Sequence, residues 1–405
     1  MTEREIPRGA PHASFRPGRR GVLLGLGATF VLGGSRIAFG QAPGEQRFIV
    51  IMLRGGLDGL AAVQPYTDPM LAQLRGPLAL PEPGQENGLL DLGGRFGLHP
   101  ALANIHALYR DGQALVAHAV AGPYRSRSHF EAQDLMEIGA TQRMNSGWLN
   151  RALLSLPGSG QARPGLAIGT GLPMLLRGPA PVGAYAPPGL ELPSEDLVHR
   201  LAALHAADER MAPIFAEAMR SRGFAAQTLG GPSAEPDRST FPRLAAAAGR
   251  LLAERAGPRV AVLEIGGWDT HAGQAGRLLG PLRELDGGIG VLRTALGDAW
   301  AQTAILVMTE FGRTARVNGT QGTDHGTGGV AFLVGGGVAG GKVLADWPGL
   351  SQDALLENRD LRPTRDLRSI AKGLLRDHLR LPEAAVAQAF PDSRDAPALA
   401  GLVRA

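Results

Sequence analysis

Side chains that bind metals or move protons stand at the ends of apolar runs in this 405-residue sequence. They are Asp58, Asp269, His271, Glu310, Asp324 and His325. The pairs Gly55-Gly56 and Gly266-Gly267 precede the first two of them, and glycine permits tight turns and close approach of backbones. Carboxylates and imidazoles in such positions are typical of a divalent-metal site that loops present on a rigid scaffold.

Five continuous apolar runs predict the strands that would position these side chains. They cover residues 47–53, 113–120, 259–265, 303–310 and 329–336. Continuous rather than alternating hydrophobicity is typical of strands that helices cover on both faces. Helical patterns lie between the runs, at residues 101–112, 195–223, 241–257 and 282–300. This alternation predicts an α/β fold, a three-layer sandwich with a mostly parallel central sheet.

We expect the six side chains to meet at one edge of that sheet, because ligands of open α/β sheets bind outside the carboxyl ends of the strands. Carboxylates that converge without cations repel one another, so one or two bound divalent metals would stabilise the arrangement. Each residue also has a simpler alternative. Asp58 and Asp269 are of a type favoured as helix or turn caps, and Glu310 could pair with Arg313 at the surface.

The charge and the cysteine content of the chain exclude several functions. Six arginines and two glutamates in residues 1–42 account for the whole net charge of +4, leaving 35 basic and 35 acidic residues in the remainder. A neutral remainder does not support nucleic-acid binding. Cysteine is absent, which excludes thiolate metal sites, iron–sulfur clusters and cysteine nucleophiles.

The first 42 residues have the three parts of an export signal: a polar start ending in Arg19-Arg20, an apolar, glycine-rich run, and the small-residue stretch "RIAFGQA". The arginine pair resembles a twin-arginine signal, which the twin-arginine export machinery would read. Only 15 residues separate Arg20 from Arg36, fewer than the roughly 20 needed to span a bilayer. We therefore expect a periplasmic protein with no membrane span in its mature form.

Beyond this leader, we expect residues 43–405 to form a single α/β domain. The Gly/Pro/Ser-rich stretch at 223–240 is predicted to be a flexible surface loop within that domain rather than a domain boundary.

Five ordered blocks of the sequence resemble the DUF1501 family of exported proteins of unassigned function: "RGGLDGL", "SHFEAQDLMEIG", "GGWDTH", "TEFGRT" and "GTDHGTGG". The resemblance runs from about residue 46 to about residue 390. The family is in turn remotely similar to the alkaline phosphatase–sulfatase–phosphoglycerate mutase superfamily. That similarity implies an alkaline-phosphatase-like sandwich with two metal ions at the carboxyl ends of the strands and a Ser, Thr or formylglycine nucleophile between them.

The resemblance assigns candidate ligands to two metals. The first metal would bind Asp269, His271 and His325, and the second would bind Asp58 and Glu310. The implied cofactor is one or two divalent metal ions, with zinc, manganese and calcium as the candidates.

The sequence departs from the superfamily pattern in two places, and in one of them the spacing from Asp269 to His271 is shorter than in alkaline phosphatase. Glu310-Phe311 stands where the superfamily usually has Asp-His, which removes a nitrogen ligand. His129 could replace that nitrogen. Asp324 could be either a ligand or an outer partner of another histidine.

The nucleophile implied by the resemblance falls in "GPYRSRSHFEAQD", where Ser128 stands three residues before Glu131. That spacing also predicts a capping box at the start of the helix "HFEAQDLMEIG", in which Ser128 is only a helix cap. A helix N-terminus can likewise hold an anionic ester, so Ser128, with Ser126 as its substitute, and His129 are the candidate catalytic residues. The nearby cations that would clamp phosphate or sulfate, or else face solvent, are Arg125 and Arg127.

These expectations favour a metal-dependent hydrolase of phosphate or sulfate esters, with a small molecule or a polymer as substrate. The alternative is a non-catalytic secreted binding or accessory protein that retains the metal-site scaffold. The altered Glu310-Phe311 position favours the alternative, whereas Asp58, Asp269 and His325 favour the hydrolase. Three other histidines are predicted to lie outside the site: His199 and His205 in an amphipathic helix, and His99 in a loop ahead of a helix.

Overall fold

The computed structural model of the chain describes residues 45–156, 164–169, 171–186 and 240–404, together with positions 35–36, 200, 212 and 228–229. Several expectations fall almost wholly outside the described residues: the export signal of residues 1–42, the loop at 223–240, and the helical pattern at 195–223 with His199 and His205. Among the helices of the described residues, none has the length and apolar character that a membrane crossing requires.

Thirteen strands form in the described residues, and most of them belong to one large sheet. They are β1 (Ser35–Arg36), β2 (Arg47–Leu53), β3 (Val63–Gln64), β4 (Leu90–Asp91), β5 (Gly97–Leu98), β6 (Ala114–Ala121), β7 (Gly165–Ile168), β8 (Val182–Tyr185), β9 (Val260–Ile265), β10 (Thr303–Thr309), β11 (Gly329–Val334), β12 (Lys342–Leu344) and β13 (Arg365–Asp366). The main sheet has the order β1-β8-β7-β9-β2-β10-β11-β6-β12, with β13 beside β6. Strands β3, β5 and β4 form a separate small sheet.

Ten α-helices connect and cover these strands in the described part of the chain. They are α1 (Gly59–Ala62), α2 (Leu71–Arg75), α3 (Ala103–Arg110), α4 (His129–Ile138), α5 (Trp148–Leu153), α6 (Thr240–Ala253), α7 (Gln274–Arg277), α8 (Leu279–Leu296), α9 (Leu367–Gly373) and α10 (Glu383–Ala389). Short 3-10 segments occupy Gly76–Leu78, Met174–Leu176 and Gly297–Gln302, and a π-helical turn occupies Leu374–His378.

Alternate side chains of the central strand β2 pack into two separate hydrophobic cores. The two sets are Ile49, Ile51 and Leu53 on one face, and Phe48, Val50 and Met52 on the other. Helices α3, α6 and α8 contribute to the first core, and helices α5, α9 and α10 contribute to the second. The sheet is therefore the middle of three layers, which confirms the predicted sandwich and explains why hydrophobicity along β2 is continuous.

The five predicted strands all form within one or two residues of their predicted bounds, as β2, β6, β9, β10 and β11. The helical patterns at 101–112, 241–257 and 282–300 correspond to α3, α6 and α8. Strands β7, β8, β9, β2 and β10 are parallel to one another, so the central sheet is mostly parallel, as expected.

Strand β11 is the exception that matters for the site. It runs antiparallel to both of its neighbours, β10 and β6. Its amino end, rather than its carboxyl end, therefore lies at the edge where β2, β9 and β10 finish. This direction places the loop before β11, with Asp324 and His325, beside the loops that follow those three strands.

Candidate metal centre

Three segments at the carboxyl edge of the sheet carry the candidate ligands. The loop after β9 holds Asp269 and His271, the loop before β11 holds His325, and α4 begins with His129 beyond the end of β6. The first two loops touch through their backbones. A Cβ atom at Gly322 would lie 2.2 Å from the carbonyl group of His271, so glycine is required for this approach.

Four potential ligand atoms converge at this edge. The Oδ1 atom of Asp269 lies 3.0 Å from Nε2 of His271, 3.2 Å from Nε2 of His325 and 3.5 Å from Nε2 of His129. The Nε2 atoms of His271 and His325 are 2.9 Å apart. The structure thus brings together three imidazole nitrogens and one carboxylate oxygen. His129, Asp269 and His325 alone already meet the spacing expected of a metal-binding group.

The hydrogen-bond partner of Nδ1 determines the tautomer of each of the three histidine rings. The Nδ1 partners are all oxygen acceptors: Glu310 Oε1 at 2.8 Å for His129, Asp324 Oδ1 at 3.1 Å for His271, and the Arg127 carbonyl at 2.8 Å for His325. A carbonyl or carboxylate oxygen can only accept, so Nδ1 carries the proton in each ring. In the neutral form each Nε2 atom therefore presents a lone pair to the centre.

These donors fit a bound cation. Three lone pairs and a carboxylate oxygen that face one another repel, and the Arg313 guanidinium, which bonds to Asp269 and lies 3.4 Å from Nε2 of His271, offsets this repulsion only in part. The Nε2 atom of His129 is buried and has no hydrogen-bond partner, as expected for a nitrogen that binds a metal ion. Zinc–nitrogen bonds of about 2.0–2.1 Å in a tetrahedron would separate ligand atoms by about 3.3 Å, which agrees with the spacing of this cluster.

The protonation of Asp269 and His325 suits metal binding. Burial raises the pKa of Asp269, but the guanidinium of Arg313 and the neighbouring His271 and His325 rings outweigh burial, so that pKa lies below its usual value. Burial lowers the pKa of His325 below that of a free histidine. The carboxyl group is therefore ionised and the His325 ring neutral at pH 7, which are the states that bind metals.

Arg313 ties the loops of the site together. Its side chain is fully buried and donates to Asp269 Oδ1 as well as to backbone carbonyls. These carbonyls belong to Gly55 and Gly56 at 2.9 Å, Trp268 at 3.1 Å and Thr323 at 2.9 Å. The surface pairing of Arg313 with Glu310 that the sequence left open is therefore not formed. Arg313 instead fixes the loops after β2 and β9 and the loop before β11.

Glu310, which we expected among the metal ligands, is hydrogen-bonded to Nδ1 of His129 and so orients that ring. Its buried Oε1 atom accepts hydrogen bonds from Nδ1 of His129, from the Gly55 amide at 2.9 Å and from the Gln133 side chain at 2.9 Å. Its Oε2 atom accepts from the Thr309 hydroxyl at 3.0 Å. Burial would raise the pKa of Glu310, but these bonds lower it. In return, Glu310 raises the pKa of His129, and a more basic ring is a stronger ligand.

Asp58, the other ligand expected for a second metal, lies at the same edge but forms a buried ion pair with Arg75. Its Oδ1 atom caps α1 by accepting from the Ala61 amide at 3.1 Å. Its Oδ2 atom also accepts from the Gln274 side chain, and the Thr323 hydroxyl lies 3.4 Å away. Both oxygens of this buried carboxylate therefore already accept hydrogen bonds from protein donors, whereas the carboxylate of Asp269 is 47% exposed. The helix-cap alternative is thus the one that the structure forms.

Asp324 is hydrogen-bonded to His271 and is not one of the four residues whose ligand atoms converge. Its Oδ1 atom accepts from Nδ1 of His271 and, at 3.1 Å, from the Asn318 side chain. Burial would raise the pKa of Asp324, but the bonds from Asn318 and His271 lower it. Asp324 therefore holds the His271 ring in place for its Nε2 atom to face the centre, which is one of the two roles expected for it.

Ser128 occupies the N-cap position of α4, with φ −96° and ψ 123°, but its hydroxyl makes no capping hydrogen bond. Glu131 also fails to complete the predicted capping box, because its carboxylate interacts with the Tyr124 hydroxyl at 3.4 Å. The side chains of Ser128 and of its substitute Ser126 are exposed. Ser128 thus remains available for another role next to His129.

The two arginines considered as an anion clamp are engaged elsewhere. Arg125 donates to the backbone carbonyls of Gly122 and Tyr124. Arg127 pairs with the fully buried Asp360 at 2.9 Å and with Glu357 at 2.6 Å. Because the Arg127 carbonyl holds His325, the ion pair with Asp360 helps to fix that ligand.

Three buried charged residues that support the site were not found from the sequence: Arg75, Arg313 and Asp360. Arginine and aspartate are mostly exposed in proteins, so no sequence pattern marks the buried ones. The signal available for Arg313 was its place in the block "TEFGRT", three residues after Glu310.

Solved structures with some similarity to this chain match it at low scores. The crystal structure of Ps i-CgsB has a TM-score of 0.36 and 14% identity, covering 74% of this chain and 68% of that chain. Its complex with k-i-k-neocarrahexaose has a TM-score of 0.35, with the same identity and coverage. A phosphonate monoester hydrolase of Agrobacterium radiobacter has a TM-score of 0.33 and 13% identity, covering 83% of this chain and 74% of that chain. Matches at this level assign no activity to this chain.

No curated protein matches this sequence. A family model does: the one described as "Protein of unknown function (DUF1501)" matches residues 112–389, more than half of the chain. The matched range includes His129, Asp269, His271 and His325, and four of the five sequence blocks that carried the resemblance. The chain therefore belongs to the DUF1501 family.

Proposed function

We propose that this protein is an exported, metal-dependent hydrolase of phosphate or sulfate esters. The observation that carries the proposal is the convergence of three histidine Nε2 atoms on Oδ1 of Asp269 at the carboxyl edge of the sheet. Ligands of α/β sheets bind at this edge. Export to the periplasm rests on the arginine-bearing leader of residues 1–42.

The donor set supports zinc, or manganese, over calcium. Calcium takes about six to eight oxygen ligands, whereas this cluster offers three nitrogens and one oxygen. Imidazole and carboxylate together are common zinc ligands. One ion also fits better than two. The two residues expected to bind a second metal have other partners: Asp58 pairs with Arg75, and Glu310 accepts from the Gly55 amide and the Gln133 side chain.

The open side of the cluster is where an ester would bind. The side chains of Asp269 and His271 are 47% and 43% exposed, whereas the rings of His129 and His325 are largely covered. A divalent metal held here would polarise the ester oxygen and lower the pKa of the attacking hydroxyl. The free backbone amides at the start of α4 would hold the anionic group, and the exposed Ser128 at that helix end is the proposed nucleophile.

One observation favours the second candidate function, a non-catalytic secreted binding protein. If all four donors bind a tetrahedral zinc ion at once, no coordination position remains for a substrate, as in structural zinc sites. The hydrolase requires either a fifth position on the exposed side or a centre in which one donor is displaced.

The test combines metal analysis with turnover. The full chain is stripped with chelator, reloaded separately with zinc or manganese, and analysed for bound metal and for hydrolysis of 4-nitrophenyl phosphate and 4-nitrophenyl sulfate. We expect one metal ion per chain and chelator-sensitive hydrolysis of one ester. The matched control is Asp269→Asn, which should lose both metal and turnover.

The two candidates give different results in this test. One bound metal without turnover of any phosphate or sulfate ester would support the binding protein and reject the hydrolase. Turnover that survives complete removal of metal would reject the metal-dependent mechanism itself.

A further inference from the structure

A cavity of about 600 Å³ lies apart from the metal centre, between α1, the segment around Gly76–Leu78 and the start of α8. Its wall is mainly apolar and includes Ala61, Pro77, Leu78, Leu80, Leu278 and Leu279. The volume falls in the range of small-molecule sites, and such sites combine apolar walls with a few placed polar groups. None of the four clustered metal ligands lines it.

His99 provides one placed polar group. It lies in the loop before α3, as the sequence predicted, and is 91% buried at the cavity wall. Its Nδ1 atom accepts a hydrogen bond from the Ala101 amide at 3.1 Å, so the proton of the neutral ring is on Nε2. Burial and the nearby positive charge of Arg283 lower the pKa of His99 to about 4, which keeps the ring neutral at pH 7. No described residue accepts a hydrogen bond from this Nε2–H group.

Arg283 provides the second polar group. It is exposed on α8 with its side chain at the cavity wall, and in the described part of the chain it forms no hydrogen bond or ion pair. No aspartate or glutamate lines the cavity to neutralise it. The remaining polar lining is partly satisfied within the protein: the Gln64 side chain, for example, is bonded to Leu78 and Leu80.

We propose that this cavity binds an amphipathic anion, a carboxylate carried on an apolar chain. Arg283 and Nε2–H of His99 would hold the carboxylate, and the leucine-rich wall would cover the chain. Charge complementarity indicates the class of ligand, because the lining includes the cationic Arg283 and no acidic group. The site is independent of the proposed ester hydrolysis.

Calorimetric titration of the full chain, after treatment with chelator, with octanoate, octanol and acetate tests the proposal. We expect octanoate to bind one per chain, at least about 10-fold more tightly than octanol or acetate, because only octanoate uses both halves of the site. Arg283→Gln should weaken octanoate binding on the order of 10-fold by removing a charged hydrogen-bond donor. Arg277→Gln, at an exposed arginine outside the cavity, is the matched control and should leave binding unchanged.

A second variant guards against an indirect effect. Ala275 is an exposed residue of the cavity wall, so Ala275→Trp should fill the cavity without unfolding the chain, and octanoate binding should be lost. Equal affinities for octanoate and octanol would overturn the proposal, because the head group would not be recognised. Octanoate binding that is unchanged in Ala275→Trp would overturn it as well.

Discussion

The Nε2 atoms of His271 and His325 face each other across 2.9 Å, although neither ring has a proton there in the tautomer that its other nitrogen requires. The Arg313 guanidinium lies 3.4 Å from Nε2 of His271, so it can satisfy only one of the two nitrogens, and a proton or a metal ion is needed for the other. Asp269 and Arg313 lie against the same pair, so the local charge is nearly balanced before any ion binds. The proposal of a metal centre depends on which of the two cations, a proton or a metal, this pair holds at neutral pH.

Removal of His129 should weaken metal binding. His129→Ala deletes one of four donors, so we expect metal affinity to fall by at least about 10-fold, measured by competition with a chromophoric chelator. Asp324→Asn changes only a hydrogen-bond partner of His271 and should have a smaller effect. His106→Ala, at a histidine bonded to the Asp91 carbonyl outside the site, is the control. Unchanged affinity in His129→Ala would limit the centre to the other three donors.

Replacement of Asp58 should affect stability rather than metal content. Asp58→Asn leaves the guanidinium of Arg75 buried without its anion, and breaking a buried pair in this way costs about 3–5 kcal/mol of unfolding free energy. Urea unfolding measures the loss, and elemental analysis should still find the metal. The double variant Asp58→Leu with Arg75→Met should recover much of the stability. A variant that loses metal but keeps its stability would show that Asp58 is a ligand.

Ser128→Ala separates a nucleophile from a helix cap. Because the Ser128 hydroxyl makes no capping bond, the substitution should change the unfolding free energy by less than about 0.5 kcal/mol. If Ser128 is the nucleophile, turnover of the preferred ester should fall by about 10³-fold or more, with metal content unchanged. Ser126→Ala is the neighbouring control. Full activity in Ser128→Ala together with loss in Ser126→Ala would move the role to Ser126.

Stability should fall below pH 6.5, in part because His118 and His378 are buried in the neutral form. Burial lowers the pKa of His118 and of His378 to about 4, although each ring donates to a backbone carbonyl. The unfolded chain takes up these protons near pH 6.5, so stability is complete above that pH and is lost as pH falls towards 4. Each histidine contributes about 3 kcal/mol across this window.

The measurement compares unfolding free energies at pH 7, 6 and 5 in the parent and in His378→Gln. Since His378 does not contact the metal centre, contributions from the metal ligands cancel in the comparison. The variant should show a shallower dependence on pH between 6.5 and 4. Equal slopes in the two proteins would mean that His378 protonates normally in the folded state.

The leader makes a prediction about export. Arg19→Lys with Arg20→Lys should keep the protein in the cytoplasm, because the arginine pair is the element that the twin-arginine machinery recognises. Cell fractionation and blotting of precursor and mature forms give the readout. Arg4→Lys with Arg8→Lys preserves charge outside the pair and serves as control. Normal processing of the first variant would argue against a twin-arginine signal.

The sequence by itself determined the layers of this protein and which loops carry the candidate site residues. Continuous apolar runs can be buried only between two covering layers, so β2, β9 and β10 were predictable from local composition. The position of Asp269 and His271 directly after a strand likewise fixed the edge of the sheet at which they lie, because parallel strands finish together.

Only the tertiary structure decided which polar residues meet. The direction of β11 is not encoded in its composition, yet its antiparallel pairing is what brings His325 to the edge where β9 and β10 end. The partners of Asp58 and Glu310 were equally beyond sequence reasoning. Arg75 is 17 residues from Asp58, and His129 is 181 residues from Glu310, so each pairing depends on long-range packing. The sequence predicted that these carboxylates lie at the edge of the sheet. Only packing determined that Asp58 pairs with the Arg75 guanidinium and Glu310 with the His129 imidazole.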